Sequence, residues 1–160
     1  MTYYDEISEG YEELHKEEQE KKIALIKKYF KPKKEDKLLD VGCGTGLTTE
    51  PWNCKRYGID PAPKLLARAR DKEHIGYKLA PAEAIPYEDN FFDVVISITA
   101  IQNFHDIEKG LKEIKRVGKE RFILSFLKRS PKKDLIENLI RKIFDAEEFV
   151  EEEKDIIYFI

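Results

Sequence analysis

The feature that most restricts the fold of this chain is a short apolar strand running into three closely spaced glycines: Leu38-Leu39-Asp40-Val41, then Gly42-Cys43-Gly44-Thr45-Gly46. Glycine reaches left-handed backbone angles at little steric cost, so such a turn can bend sharply and bring its backbone close to a ligand. A helix start after the turn would add free N–H groups facing that ligand. A second strand, Tyr57-Gly58-Ile59-Asp60, ends on a carboxylate 18 positions after Gly42. That interval is near the ~20 residues at which a carboxylate meets a ribose diol in dinucleotide folds. The glycine spacing departs from two familiar phosphate cradles. Leu47 stands where Gly-x-Gly-x-x-Gly would have its third glycine, and no Gly-Lys-Ser/Thr follows. An NAD-type oxidoreductase and a Walker loop are both disfavoured.

The rest of the chain repeats the strand–helix alternation. Residues 9–30 are predicted to form a helix, with Tyr11, Leu14, Leu25, Ile26 and Tyr29 at helical spacing, ended by Lys31-Pro32. Pro61-Ala62-Pro63 opens a helix carrying Leu65, Leu66 and Ala69. Tyr77-Lys78-Leu79 is a third strand, and Phe92 to Ile98 is a near-continuous apolar run, as expected of a strand covered on both faces. Ile107, Leu111, Ile114 and Val117 mark one helix stripe, and Phe122 to Phe126 another buried strand. Ser130-Pro131 reads as a capped helix start before Leu135, Ile136, Leu139, Ile140 and Ile143. Two closing strands are expected at about 146–151 and 156–160. Only ten residues, 47–56, separate Gly46 from Tyr57, which predicts a short first helix. The expected fold is α/β: a doubly wound, seven-stranded, mostly parallel sheet with a C-terminal antiparallel hairpin and helices on both faces.

Composition narrows the class further. The 160 residues are 41% apolar and 38% charged, so a single domain with a heavily charged surface is expected. Lys plus Arg (29) against Asp plus Glu (32) gives −3, which excludes a wholesale polycation. No run approaches the ~18 apolar residues of a membrane helix. The first residues, Met1-Thr2-Tyr3-Tyr4-Asp5-Glu6, are acidic and polar, unlike a secretory signal, so a soluble, cytoplasmic protein is expected. Cys43 and Cys54 alone make neither a disulfide scaffold nor a cysteine zinc site. The Glu/Lys richness resembles a thermophile's composition.

Several motifs together carry a resemblance. Residues 38–46 resemble the first motif of class I S-adenosylmethionine-dependent methyltransferases, and Tyr57-Gly58-Ile59-Asp60-Pro61 their second. Ala82-Glu83-Ala84-Ile85-Pro86-Tyr87, followed by Asn90 to Val95, resembles their third and fourth. The segment from Tyr4 to His15 is similar to their opening segment. The resemblance implies a single domain over 1–160, with a helical lid in 1–31 and a Rossmann-like core in 37–160, and S-adenosylmethionine as cofactor. It implies that Gly42, Gly44 and Gly46 pass under the methionine and ribose, with Cys43 inside the loop, and that Asp40 lies near the methionine amino group. Asp60, followed by Pro61, would take the ribose hydroxyls. Ala82 and Glu83 would lie along the adenine edge, Ile98 beside the ligand, and Tyr11 over the sulfonium. The family's usual acidic residue before the Ala-Glu pair is here Pro81, and the usual Pro-Gly-Gly turn is Val117-Gly118-Lys119-Glu120.

The acceptor side is less defined. Thr99, Gln102, Asn103 and His105 follow the fourth strand and are the candidate substrate-facing residues, with no catalytic residue assigned. No magnesium-type ligand cluster is visible, so no metal is expected. His105 suits a capping or surface role as well as a base. Tyr11 and His15 read first as helix packing, His74 as a surface residue, and Cys43, Trp52 and Cys54 as filler. Residues 109–142 carry a local +8 and residues 143–160 a local −6. The basic stretch reads as solvated helix faces ahead of a phosphate-binding face, and its charge is expected at two ends of the sheet, with only Lys128 to Lys133 near the substrate mouth. The reading is a methyltransferase acting on an N or O atom of a small molecule, a protein or RNA, nucleic acid not being favoured. The alternative is a non-catalytic cofactor-binding subunit or degenerate paralogue that needs a partner protein.

Overall fold

The computed structural model describes residues 9–70 and 74–160, with side chains from residue 12 onward. It divides into two compact units, the first ending at Lys31 and the second spanning Pro32–Ile160. The first unit contains α1, Glu9–Ile26. It is shorter than predicted, because residues 27–29 close as turns. Its buried positions are Gln19, Lys22, Ile23 and Ile26, an i, i+3, i+4, i+7 stripe, whereas Leu14 and Tyr29 are exposed. The apolar residues alone therefore misplaced this helix's covered face.

The second unit is built on one seven-stranded sheet of order β3-β2-β1-β4-β5-β7-β6. Its strands are β1 (Lys37–Val41), β2 (Lys55–Asp60), β3 (Ile75–Leu79), β4 (Phe92–Ser97), β5 (Gly118–Leu127), β6 (Phe149–Glu151) and β7 (Asp155–Phe159). The pairs joining β3, β2, β1, β4 and β5 are parallel, while β7 runs antiparallel to both β5 and β6. The helices are α2 (Pro63–Ala69), α3 (Ile107–Val117) and α4 (Lys133–Phe144), with a 3₁₀ turn at Ile101–Asn103. The chain steps one way along the sheet from β1 to β3, then back past β1 to β4 and β5. Parallel crossovers take the right hand, which puts the helices of the two arms of such a sheet on opposite faces. The step reverses between β1 and β4, and ligands bind open α/β sheets beyond the strand C-termini at such a switch point.

The central strands read as apolar because both faces are covered: β4 has five of its six residues buried, and Leu38, Leu39 and Val41 of β1 are fully buried. Ile107, Leu111, Ile114 and Val117 of α3 are all buried, as their spacing predicts. Tyr57 of β2 clusters with Tyr87, Phe91 and Phe92 at centroid distances of 4.8–6.0 Å, edge-to-face in every pair but Tyr87–Phe91, which is stacked.

Two local expectations need correction. No helix follows the glycine loop: residues 44–51 are successive turns, with Thr49 and Glu50 N–H donating to the Gly46 carbonyl at 3.1 and 3.0 Å. Ten residues that must also return to the start of a parallel strand leave room for one helical turn only. Pro131 is likewise not the first helical residue. Ser130 closes a turn in which its hydroxyl accepts the Lys132 N–H at 3.1 Å, and α4 begins at Lys133.

Candidate cofactor site

The site lies where the C-terminal ends of β1, β2 and β4 meet. Asp40, on β1, is completely buried. Its Oδ2 accepts the hydroxyls of Thr48 at 2.6 Å and Thr49 at 2.8 Å, which folds the turns after the glycine loop back onto the strand. Its Oδ1 is buried with no hydrogen-bond partner in the protein. Burial raises the Asp40 carboxyl to about 6, the two threonine hydroxyls opposing the rise and the charge of Asp60 adding to it.

The loop that follows owes its shape to left-handed backbone at Gly42 (φ +80°), Gly44 (+54°) and Gly46 (+91°). The three glycines face different surroundings. A β-carbon on Gly42 would stand 2.6 Å from that of Ala100, and one on Gly46 would stand 2.5 Å from the Tyr77 hydroxyl oxygen. A β-carbon on Gly44 would meet nothing within 4 Å, so this glycine faces open space above the loop. Asp60 closes the loop from the end of β2. One carboxylate oxygen accepts the Gly44 N–H and the other the Ala62 N–H, both at 2.8 Å. Each oxygen keeps a lone pair for a further donor.

Cys43 is a packing residue. It is buried, and burial together with Asp40 and Asp60 pushes its thiol far above the usual range, so it is no thiolate nucleophile. Ala82 and Ile98 are buried, while Pro61 and Pro81 are exposed. The Glu83 carboxylate accepts the Asp106 N–H at 2.8 Å and so links the β3–β4 loop to the cap of α3. Tyr11 lies within α1, but its side chain is outside the described residues.

The acceptor-side candidates divide into two kinds. The Thr99 hydroxyl donates to Asp155 at 2.6 Å, and the Gln102 amide donates to the Thr99 carbonyl at 2.8 Å while its oxygen faces the Leu127 N–H at 3.4 Å. Their polar atoms are committed inside the protein. Asn103 and His105 are exposed.

Two supports were not anticipated from the sequence. Arg116 of α3 donates to the carbonyls of Tyr87 and Ile85 at 2.9 and 3.0 Å and pairs with Glu113 and Asp89. Glu113 in turn accepts the Ile85 N–H at 3.0 Å. One arginine and one glutamate thus clamp the loop that carries Ala82 and Glu83. The only advance signal was an i, i+3 Glu–Arg pair, which many exposed helices share. The second support is Tyr77, whose ring packs on Gly58 and whose hydroxyl lies under Gly46.

The basic stretch is split as its spacing predicts. Lys119 pairs with Asp93 at the start of β4. Lys132 reaches the Gln102 carbonyl at 3.3 Å, and Lys128 donates to the Glu152 carbonyl at 3.0 Å, both beyond the C-terminal end of β5.

A sequence profile described as a methyltransferase domain matches residues 39–126, more than half of the chain. The chain belongs to this methyltransferase family. It is 30% identical over 126 residues to protein MJ1252 of Methanocaldococcus jannaschii, covering 78% of this chain and 49% of that one. It is 36% identical over 98 residues to a demethylmenaquinone methyltransferase of Chlorobaculum tepidum, covering 58% of this chain and 40% of that one. Among solved structures, the PH0226 protein of Pyrococcus horikoshii shares the fold with a TM-score of 0.75 and 21% identity, over 97% of this chain and 92% of that one. The chain spans about half the length of the curated relatives it matches. No helix among the described residues is long and apolar enough to cross a membrane.

Proposed function

We propose that this chain binds S-adenosylmethionine at the Gly42–Gly46 loop and transfers its methyl group to a nitrogen or oxygen acceptor. The observation that carries the reading is the orphaned oxygen of Asp40. A fully buried carboxylate with an unpartnered acceptor calls for a donor, and the amino group of a methionine tail is one of matching charge. The surroundings suit the rest of such a ligand: open space over Gly44 for its body, and two spare lone pairs on Asp60 for a ribose diol. Nothing in this arrangement is built to neutralise a pyrophosphate.

In this reading Asp40 and Asp60 hold the two ends of the methionine–ribose unit, the glycines let the loop backbone approach it, and Ala82 and Ile98 give it an apolar wall. When bound, S-adenosylmethionine supplies a methyl group already activated on a sulfonium. The protein's task is then alignment of the acceptor with little covalent work of its own. Asn103 and His105 are the groups proposed to meet the acceptor, and a base matters only if the attacking atom carries a proton. The decisive experiment is calorimetry with S-adenosylmethionine and its demethylated product, S-adenosylhomocysteine, followed by radiolabelled methyl transfer to fractions of a cell extract. Failure of both ligands to bind would reject the proposal. Binding without transfer to any fraction would favour a cofactor-binding subunit.

The Asp40 carboxyl gives this reading a pH signature. An ammonium ligand needs the ionised form, so affinity should fall as pH drops below about 6, where Asp40 takes up a proton. The sign for stability is opposite. A carboxyl raised by burial favours its neutral form in the fold, so its contribution to stability is lost as pH rises through about 6. Calorimetry at about pH 5 and about pH 7.5 separates the two. An affinity that stays flat across that interval would show that Asp40 meets no cation.

No metal is expected to take part. Among the described residues, no group of three or more His, Cys, Asp or Glu side chains could hold one. Once an acceptor is found, EDTA should leave the rate unchanged. Loss of activity restored by magnesium would turn the acceptor reading toward catechol-like phenols.

A further inference from the structure

We propose that Asp155, the first residue of β7, is a positioning residue for the glycine loop: it holds Thr99 in a left-handed conformation and, through Ala100, fixes where Gly42 lies. The consequence for cofactor binding rests on the function proposed above; the mechanical coupling does not.

The observation that prompts this is Thr99 itself. Its φ is +55°, a region that β-branched residues almost never occupy. Such a conformation persists only where the surroundings over-determine it, and here they do. The Thr99 hydroxyl donates to Asp155 Oδ2 at 2.6 Å, and its N–H donates to the Ser125 hydroxyl oxygen at 2.9 Å. Ser125 then donates to the same Oδ2 at 2.8 Å, and the Gln102 side chain takes the Thr99 carbonyl at 2.8 Å. Every polar group of Thr99 is thus held, and two of the three routes end on one fully buried carboxylate.

The next residue converts this into a constraint on the loop. The Ala100 methyl group occupies the space a side chain at Gly42 would need, 2.6 Å from where its β-carbon would be. Ala100 therefore packs directly on the first glycine, whose N–H is tied to the Ile59 carbonyl at 2.8 Å. Two residues before Thr99, the buried Ser97 hydroxyl donates to the Val41 carbonyl at 2.9 Å. The segment leaving β4 and the loop leaving β1 are joined at both points across the switch point. The anchor for that joint lies in the C-terminal hairpin, outside the 39–126 span of the family match. The role assigned to the hairpin is to set the loop's shape.

Hydrogen exchange of loop amides in the unliganded protein tests the coupling, and calorimetry with S-adenosylhomocysteine tests its effect on binding. Asp155→Ala would strip the acceptor from the Thr99 hydroxyl and from the buried Ser125 hydroxyl and threatens the fold, so Thr99→Val carries the test: it keeps the shape and removes the hydroxyl. Loss of that bond should speed exchange in residues 42–46 and weaken S-adenosylhomocysteine binding, each by about fivefold. Thr99→Ser, which keeps the hydroxyl, should restore both. Exchange in 42–46 that matches the unsubstituted protein in Thr99→Val overturns the inference, as does a Thr99→Ser protein that behaves like Thr99→Val. A lower melting temperature with no change confined to the loop also overturns it, since that is a structural role alone. If the unsubstituted protein binds no S-adenosylhomocysteine, the functional reading fails, while the exchange measurements still decide the coupling.

Discussion

Replacing Asp60 by alanine should lower the affinity for S-adenosylmethionine by more than about tenfold, because it removes two charge-assisted acceptors individually worth ~1.5–3 kcal/mol. The structure adds a second consequence. The same carboxylate accepts the Gly44 and Ala62 N–H groups, so the substitution also releases the loop and exposes the end of β2. A stability loss of about 1–3 kcal/mol is expected from the stranded backbone donors. Asp60→Ala should therefore bind weakly and melt earlier even without ligand. Calorimetry and a thermal melt of the unliganded protein separate the two effects. An affinity equal to the unsubstituted protein's would place the ligand elsewhere.

Gly44→Val should be the more complete lesion for binding and the milder one for packing. Nothing stands within 4 Å of a β-carbon at Gly44, so the fold itself bears mainly the cost of a branched residue at φ +54°, about 1–2 kcal/mol. The new side chain instead fills the space above the loop. Binding should fall below detection while the protein stays folded. Gly46→Ala provides the contrast, since its methyl group would meet the buried Tyr77 hydroxyl and disturb the loop from beneath. A Gly44→Val protein with normal affinity would falsify the assignment of the loop as the cofactor cradle.

Some of this could be read from the residues alone. The alternation of apolar runs and helical stripes predicts the parallel sheet, because strands covered on both faces must be apolar throughout and helices against them need a stripe. The glycine triplet, Asp40 and Asp60 are legible for the same reason: they are local to the strand ends that carry them. Local signals also misled where a neighbouring constraint was stronger. The turns after Gly46 have no room for a helix, and the Ser130–Pro131 cap closes a turn ahead of α4.

By itself, then, the sequence determined the order of strands and helices, the loop and its two carboxylates, since each is specified within a few residues by spacing, side-chain volume and backbone freedom. Tertiary structure decided what holds that loop in place. The bond from Thr99 to Asp155 joins residues 56 apart, and those from Arg116 to Ile85 and Tyr87 join residues 31 and 29 apart. It also decided that Gly42 must yield to Ala100 and Gly46 to Tyr77. These contacts exist only once the chain reverses direction beside β1 and the last hairpin closes on β5. No periodicity marks them, because single hydrogen bonds and contacts between residues distant in the chain leave no repeating pattern to read.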